Sequence, residues 1–209
     1  MPDTTGNYTG PPPVARSPIT TVAAGRGDGA LTLTDESSYG KLLVRAAATG
    51  PMATALGTRF GRTSRDAGDE ALVVGSGPGE WLLLADVAEL PKLTEWLEQQ
   101  AEADPDLVSI VDATHGRAMM RLTGHAAADV LAKLCAVDLS DTFVPDGGAF
   151  RSSVTKLVTD VVRDDAGGAS TGDRPSYLLH CERSSGQYLW EAVADAGLEY
   201  GLTTTAAPT

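Results

Sequence analysis

The residues best equipped for chemistry are few and scattered. The chain has three histidines, His115, His125 and His180, and no two of them share a helical spacing, so no preformed metal site is legible. Asp112 and His115 lie close together at the end of a strand-like segment. A histidine–carboxylate pair serves acid–base chemistry; alternatively, Asp112 ties down the turn before Arg117, as short aspartates commonly do. Arg59, Arg62 and Arg65 cluster in a polar stretch, where they either receive a carboxylate or phosphate or face solvent in an exposed loop. Gly75-Ser76-Gly77-Pro78-Gly79 superficially suggests a nucleotide loop. A dinucleotide fingerprint must join a strand to a helix, whereas these glycines fall between two strands, and Pro78 lacks an N–H. Cys135 and Cys181 are too few for a disulfide framework and have no paired metal spacing. Cys135, on an apolar helical stripe, reads as a small core residue.

These side chains must be positioned by elements that the hydrophobic pattern outlines. Lys41 to Ala46 reads as a strand, followed by Gly50-Pro51 and a short helix to Leu56. Ala71–Gly75 and Glu80–Ala85 read as a hairpin. A helix follows from about Leu90 to Ala103, with Pro91 in its first turn. Leu90, Leu93 and Leu97 face inward there, while Glu95, Glu98 and Glu102 face away. Leu107 to Ala113 is a strand. Arg117 to Leu122 reads as a half-buried strand, with Ala118, Met120 and Leu122 inside and Arg117, Met119 and Arg121 outside. A helix from Gly124 then aligns Ala127, Val130, Leu131, Leu134 and Cys135. Phe150–Val154, Leu157–Arg163 and Tyr177–Glu182 are further strands. Ser184 or Ser185 caps a last helix carrying Leu189, Trp190 and Val193.

This order predicts an α+β fold, mostly antiparallel sheet with helices on one face, and 117–197 follows a ferredoxin-like order. Residues 1–15, with Pro11-Pro12-Pro13, read as a disordered tail. Residues 16–201 read as one domain, with a long loop over 164–175 and a flexible end over 202–209.

Composition narrows the function classes. The 209 residues carry 16 Lys+Arg against 28 Asp+Glu, a formal charge of −12. That balance lacks the electrostatic term that drives nucleic-acid binding. Seven carboxylates and one lysine fall within 86–106, either a solvated face or a surface that steers a basic partner. The longest apolar run is Trp81-Leu82-Leu83-Leu84-Ala85, far short of the roughly 20 residues of a membrane span. The polar N-terminus has no export signal, which predicts a cytoplasmic protein.

A set of short motifs then stands in a definite order. They are Arg16-Ser17-Pro18, Gly77-Pro78-Gly79-Glu80-Trp81-Leu82-Leu83, Val111-Asp112-Ala113-Thr114-His115-Gly116-Arg117, and Leu122-Thr123-Gly124 with the helix to Leu134-Cys135. Val137-Asp138-Leu139, Tyr188-Leu189-Trp190 and Glu199-Tyr200-Gly201 complete the series. Together, over about 16–201, the chain resembles the gamma subunit of heterotetrameric sarcosine oxidase, a family related to the folate-binding aminomethyltransferase of the glycine cleavage system. The resemblance implies an aminomethyltransferase-like fold and a non-catalytic role in a complex that oxidatively demethylates sarcosine to glycine. That complex yields hydrogen peroxide and 5,10-methylenetetrahydrofolate, or formaldehyde without folate. It further implies no cofactor on this chain. FAD, FMN, NAD, zinc and tetrahydrofolate belong to the alpha, beta and delta partners, with alpha the expected contact. On the motifs, Arg16, Trp81, Asp112, Arg117, Trp190 and Tyr200 become candidate partner-contact or structural residues. The acidic pair of the aminomethyltransferases is replaced here by Leu157 and Val158, with Asp160 nearby but displaced. Two other readings stay open: a stand-alone folate-dependent enzyme using Asp160, and a small-ligand module using Arg59, Arg62 and Arg65.

Overall fold

The computed structural model describes residues 16–22, 27, 29–65, 71–168 and 174–206; the expected tail over 1–15 lies outside them. Two sheets organise the chain. The first has six strands in the order β11-β1-β7-β10-β9-β8: β1 (Leu31–Asp35), β7 (Arg117–Gly124), β8 (Ala149–Val154), β9 (Leu157–Arg163), β10 (Ser176–Glu182) and β11 (Leu202–Thr205). The second has five, in the order β3-β4-β5-β2-β6: β2 (Gly40–Arg45), β3 (Thr63–Ser64), β4 (Leu72–Gly77), β5 (Glu80–Ala85) and β6 (Ser109–Asp112). All pairings are antiparallel except β1 with β11.

The sheets stack face to face, each with helices on its other face, giving four layers. On the first sheet, Leu33, Leu122, Val161 and Leu179 pack against α3 (Ala127–Ala132) and α4 (Gly186–Gly197) through Val130, Leu131, Leu189, Trp190 and Val193. On the second, Val44, Val73, Trp81 and Leu83 meet α1 (Pro51–Leu56) and α2 (Leu90–Glu102) through Met52, Leu56, Leu93 and Leu97. Between the sheets lie Leu72, Val74, Leu82 and Leu84 from one side and Met119, Val162 and Leu178 from the other. The expected strand-helix-strand-strand-strand-helix order over 117–197 is present. Cys135 is buried against the first sheet's helical face.

Local chemistry explains the joints. Pro78 and Gly79 form the β4–β5 turn, shorter than the four residues the sequence suggests because Ser76 and Gly77 extend β4. Gly79 takes φ +71°, and a Cβ there would meet the Ala46 carbonyl at 2.4 Å, so only glycine fits. Pro91 occupies the first turn of α2, as its missing N–H requires. Ser185 stands at the start of α4, but a preceding 3₁₀ turn (Arg183–Ser185) gives it helical angles, and its side chain makes no capping bond.

Two expectations are corrected. Met119 and Arg121 do not face solvent: the second sheet covers that side of β7, and both are buried. Nor is 202–209 loose from its start. After the left-handed turn at Gly201, Leu202–Thr205 pairs in parallel with β1, and Leu202 is buried in the first core. A threonine-rich segment reads as a tail by composition, yet β-branched residues suit a strand once a neighbour offers its backbone. The sequence reading assigned no element to β1, the neighbour in question.

Candidate functional site

Charged residues gather at two places between the sheets. Strand parity sends Arg121, Asp160 and His180 into this layer, on the same face as Met119, Val162 and Leu178. Isolated charges there would be costly, so each must find a partner.

At the first place Arg121 ties four segments together. Its Nε donates to Glu36 Oε1 at 2.8 Å. Its Nη1 donates to the Asp164 carbonyl at 3.2 Å and to Ser176 Oγ at 3.0 Å, and its Nη2 donates to Asp164 Oδ2 at 3.1 Å. Arg65 reaches the other Asp164 oxygen from the second sheet. These charges, with Tyr39, Leu72, Leu84, Met119 and Leu178, line a cleft of about 340 Å³. Burial raises the Glu36 carboxyl above its ordinary value, against the pull of Arg121. Asp164 is thus a buried anchor at the start of the expected 164–175 loop; residues 169–173 lie outside the described residues.

At the second place Asp160 accepts a hydrogen bond from Arg151 Nε at 2.7 Å, and Arg151 also reaches Glu80, itself paired with Arg45. Asp160 lies 3.5 Å from His180 Nε2, across the β9–β10 register, without a hydrogen bond. Burial pushes the imidazole down to about 4, with Asp160 opposing, so His180 is neutral at pH 7 and the contact is not an ion pair. A void of about 10 Å³ adjoins Asp160, room for about one water and not for a pteridine ring.

Nearby, Lys41 is fully buried, donating its ammonium to the Ser37 and Tyr39 carbonyls at 2.9 and 2.7 Å. Burial pushes it down to about 8. Among the described residues no three His, Cys, Asp or Glu side chains converge as a metal site. None of the helices among them is long and apolar enough to cross a membrane.

The residues singled out from sequence fall elsewhere. Asp112 serves the turn: its Oδ1 accepts from the Thr114 N–H at 2.8 Å, and Thr114 Oγ1 accepts from the Lys41 N–H at 3.0 Å. Burial works to raise the Asp112 carboxyl, but the Thr114 bonds and the neighbouring His115 bring it below its ordinary value. Trp81 is a core residue whose Nε1 donates to the Thr58 carbonyl at 2.8 Å, and Trp190 is buried in the other core. Arg117, half-buried, pairs with Glu182 at 3.2 Å. Arg16 is exposed, its carbonyl accepting from Arg183. The Tyr200 ring lies 4.8 Å from the Lys133 ammonium. The three arginines do not converge on one anion: Arg65 is consumed by Asp164, while Arg59 and Arg62 are exposed.

Sequence reasoning missed Glu36, Arg121 and Asp164 as a unit. The available signal was a charged residue inside an otherwise apolar strand, as in Met119-Met120-Arg121-Leu122 and Leu178-Leu179-His180-Cys181. On a strand buried on both faces such a residue must seek a buried partner.

Comparison with known proteins bears on this architecture. The chain is 31% identical over 186 residues to an aminomethyltransferase of Geobacillus thermodenitrificans, covering 81% of this chain and 48% of that protein. It is 28% identical over 134 residues to one from Geobacillus sp. strain WCH70, covering 64% and 34%. The chain therefore spans about half or less of the length of these curated relatives. In fold it matches a chain of heterotetrameric sarcosine oxidase from Corynebacterium sp. U-96 in complex with pyrrole 2-carboxylate. The TM-score is 0.70 at 24% identity, over 93% of this chain and 98% of that one. Glycine cleavage system aminomethyltransferase T from Bartonella henselae matches with a TM-score of 0.60 at 15% identity, over 84% and 48%. The model of the GCVT N-terminal domain matches residues 66–209, more than half of the sequence, and the chain belongs to that family.

Proposed function

We propose that this chain is a non-catalytic, gamma-type subunit of a cytoplasmic sarcosine-oxidase-like heterotetramer. The alpha, beta and delta subunits of that assembly carry FAD, FMN, NAD, zinc and tetrahydrofolate. With dioxygen as oxidant they demethylate sarcosine to glycine, releasing hydrogen peroxide and 5,10-methylenetetrahydrofolate or formaldehyde. The observation that carries this reading is mutual coverage: the match takes in 93% of this chain and 98% of the sarcosine oxidase chain, against 48% of an aminomethyltransferase. The closure around Asp160 adds support, because a folate-activating carboxylate needs an open approach and this one is held by Arg151 beside a void of about 10 Å³. The ferredoxin-like order over 117–197 then serves as scaffold, with exposed Arg16 and the Tyr200 edge available for partner contact and Trp81 and Trp190 as structural core.

Co-expression with alpha, beta and delta subunits tests it. A stable complex by size-exclusion chromatography is expected; a chain that stays a lone monomer in their presence refutes the reading. The sequence identity to aminomethyltransferases favours one alternative, a stand-alone folate-dependent protein. Calorimetry with tetrahydrofolate separates the two: saturable binding abolished by Asp160→Asn supports the alternative, and no heat disposes of it.

A further inference from the structure

The chain contains three phenylalanines, and all three, Phe60, Phe143 and Phe150, line one surface groove of about 380 Å³. Phe60 is 63% exposed and Phe143 71% exposed. Val137, Val144 and Ala149 complete the apolar lining. Phenylalanine is among the side chains that gain most from leaving water, so a fold that places every one of them on one groove keeps unsatisfied apolar surface there.

Backbone hydrogen bonds hold the groove's segments together. The Phe60 loop is stitched to β4 by Gly61 N–H to the Gly75 carbonyl and Gly75 N–H to the Arg62 carbonyl, both 2.9 Å. It is stitched to the Phe150 segment by Thr63 N–H to the Gly147 carbonyl (2.9 Å) and Ala149 N–H to the Gly61 carbonyl (3.1 Å). A Cβ on Gly75 would lie 2.1 Å from the Arg59 carbonyl, so this close approach depends on glycine. Preorganisation of this kind lowers the cost of binding.

Its charged rim carries Arg62 in the lining with Arg59 next to it, and one carboxylate, Asp138, whose Oδ1 accepts from the Ser140 N–H at 2.9 Å, on a chain of net charge −12. Arg59 and Arg62 flank Phe60, both are exposed, and neither forms an ion pair among the described residues. Aromatic and arginine side chains around a pocket are the features that concentrate binding energy in protein interfaces. A second copy is the poorer occupant, since two chains of charge −12 repel.

We infer that this groove docks a segment of another polypeptide, which inserts an aromatic or branched apolar side chain among Phe60, Phe143 and Phe150 and sets Asp or Glu against Arg59 and Arg62. Where that polypeptide is a subunit of the assembly proposed above, the inference rests on that reading, and the experiment separates the two.

A random phage-displayed dodecapeptide library is panned on the full chain, with the F60A/F143A variant as counter-target. Enriched peptides are expected to place Trp, Tyr, Phe or Leu beside Asp or Glu. They should bind roughly tenfold or more weakly to F60A/F143A and to R59E/R62E. No enrichment, a basic consensus, or undiminished binding to both variants overturns the inference. Because all four side chains that change are largely exposed, both variants should keep the wild-type thermal unfolding; if F60A/F143A does not, R59E/R62E alone decides. Light scattering covers the remaining occupant: a wild-type dimer made monomeric by F60A/F143A overturns the inference in favour of self-association. The same variants in the co-expression experiment distinguish the readings. Peptides that bind without assembly of the oxidase subunits sink the subunit reading and leave the groove standing. Assembly indifferent to both variants, with no peptide selected, does the reverse.

Discussion

Replacing His180 tests the physics of the layer between the sheets most directly. The imidazole is fully buried and neither ring nitrogen has a hydrogen-bond partner. Burial holds it down to about 4 against an ordinary 6.5, with Asp160 raising it and Arg117, Lys41 and Arg151 lowering it. Between those two values the unfolded chain binds a proton that the folded chain refuses. Stability from this group is therefore fully present above pH 6.5 and is lost as pH falls toward 4. Integrated from pH 7.5 to 4.5, the loss is about 2.5 kcal/mol. His180→Leu removes the titration with little change of volume and leaves no buried partner of the imidazole orphaned. Urea unfolding at pH 7.5 should place the variant within about 1 kcal/mol of wild type. At pH 4.5 the variant should be the more stable by about 1.5–3.5 kcal/mol. Glu36 works in the opposite sense, since its raised carboxyl loses stability as pH rises above the ordinary carboxylate value, but it is common to both proteins and cancels. Parallel stability-versus-pH curves for the two proteins would refute the reasoning, because they would mean that His180 titrates alike in the folded and unfolded chain.

The other expectations concern packing and the buried ion cluster. Arg121→Met should cost about 3–5 kcal/mol in urea unfolding, since it leaves Glu36 without its cation between the sheets and removes one of the two arginines that hold Asp164. A loss under about 1 kcal/mol would place the cluster with ordinary surface salt bridges. Leu202→Ala should cost about 2–4 kcal/mol if the C-terminal strand belongs to the first core, and a near-neutral result would return that segment to the periphery.

What the sequence by itself determined is what short-range periodicity encodes. Leu90, Leu93 and Leu97 set the buried face of α2, Pro78-Gly79 set the β4–β5 turn, and the stripe from Ala127 to Cys135 set the face of α3. The ordered motifs also pointed to the aminomethyltransferase relatives. The tertiary structure decided what depends on partners distant in sequence. Alternation along β7 gave Arg121 an outward direction, but whether outward meant water or a second sheet was set by residues 72–84. A strand such as Leu202–Thr205 exists only because β1, some 170 residues earlier, presents an open edge. The same holds for function. Arg59, Arg62 and Arg65 form one cluster in sequence, yet the fold spends Arg65 on Asp164 and leaves the other two beside Phe60. Phe143 and Phe150 reach that groove from a segment more than 80 residues away, brought there by backbone hydrogen bonds between Gly61, Thr63, Gly147 and Ala149 that no local pattern announces.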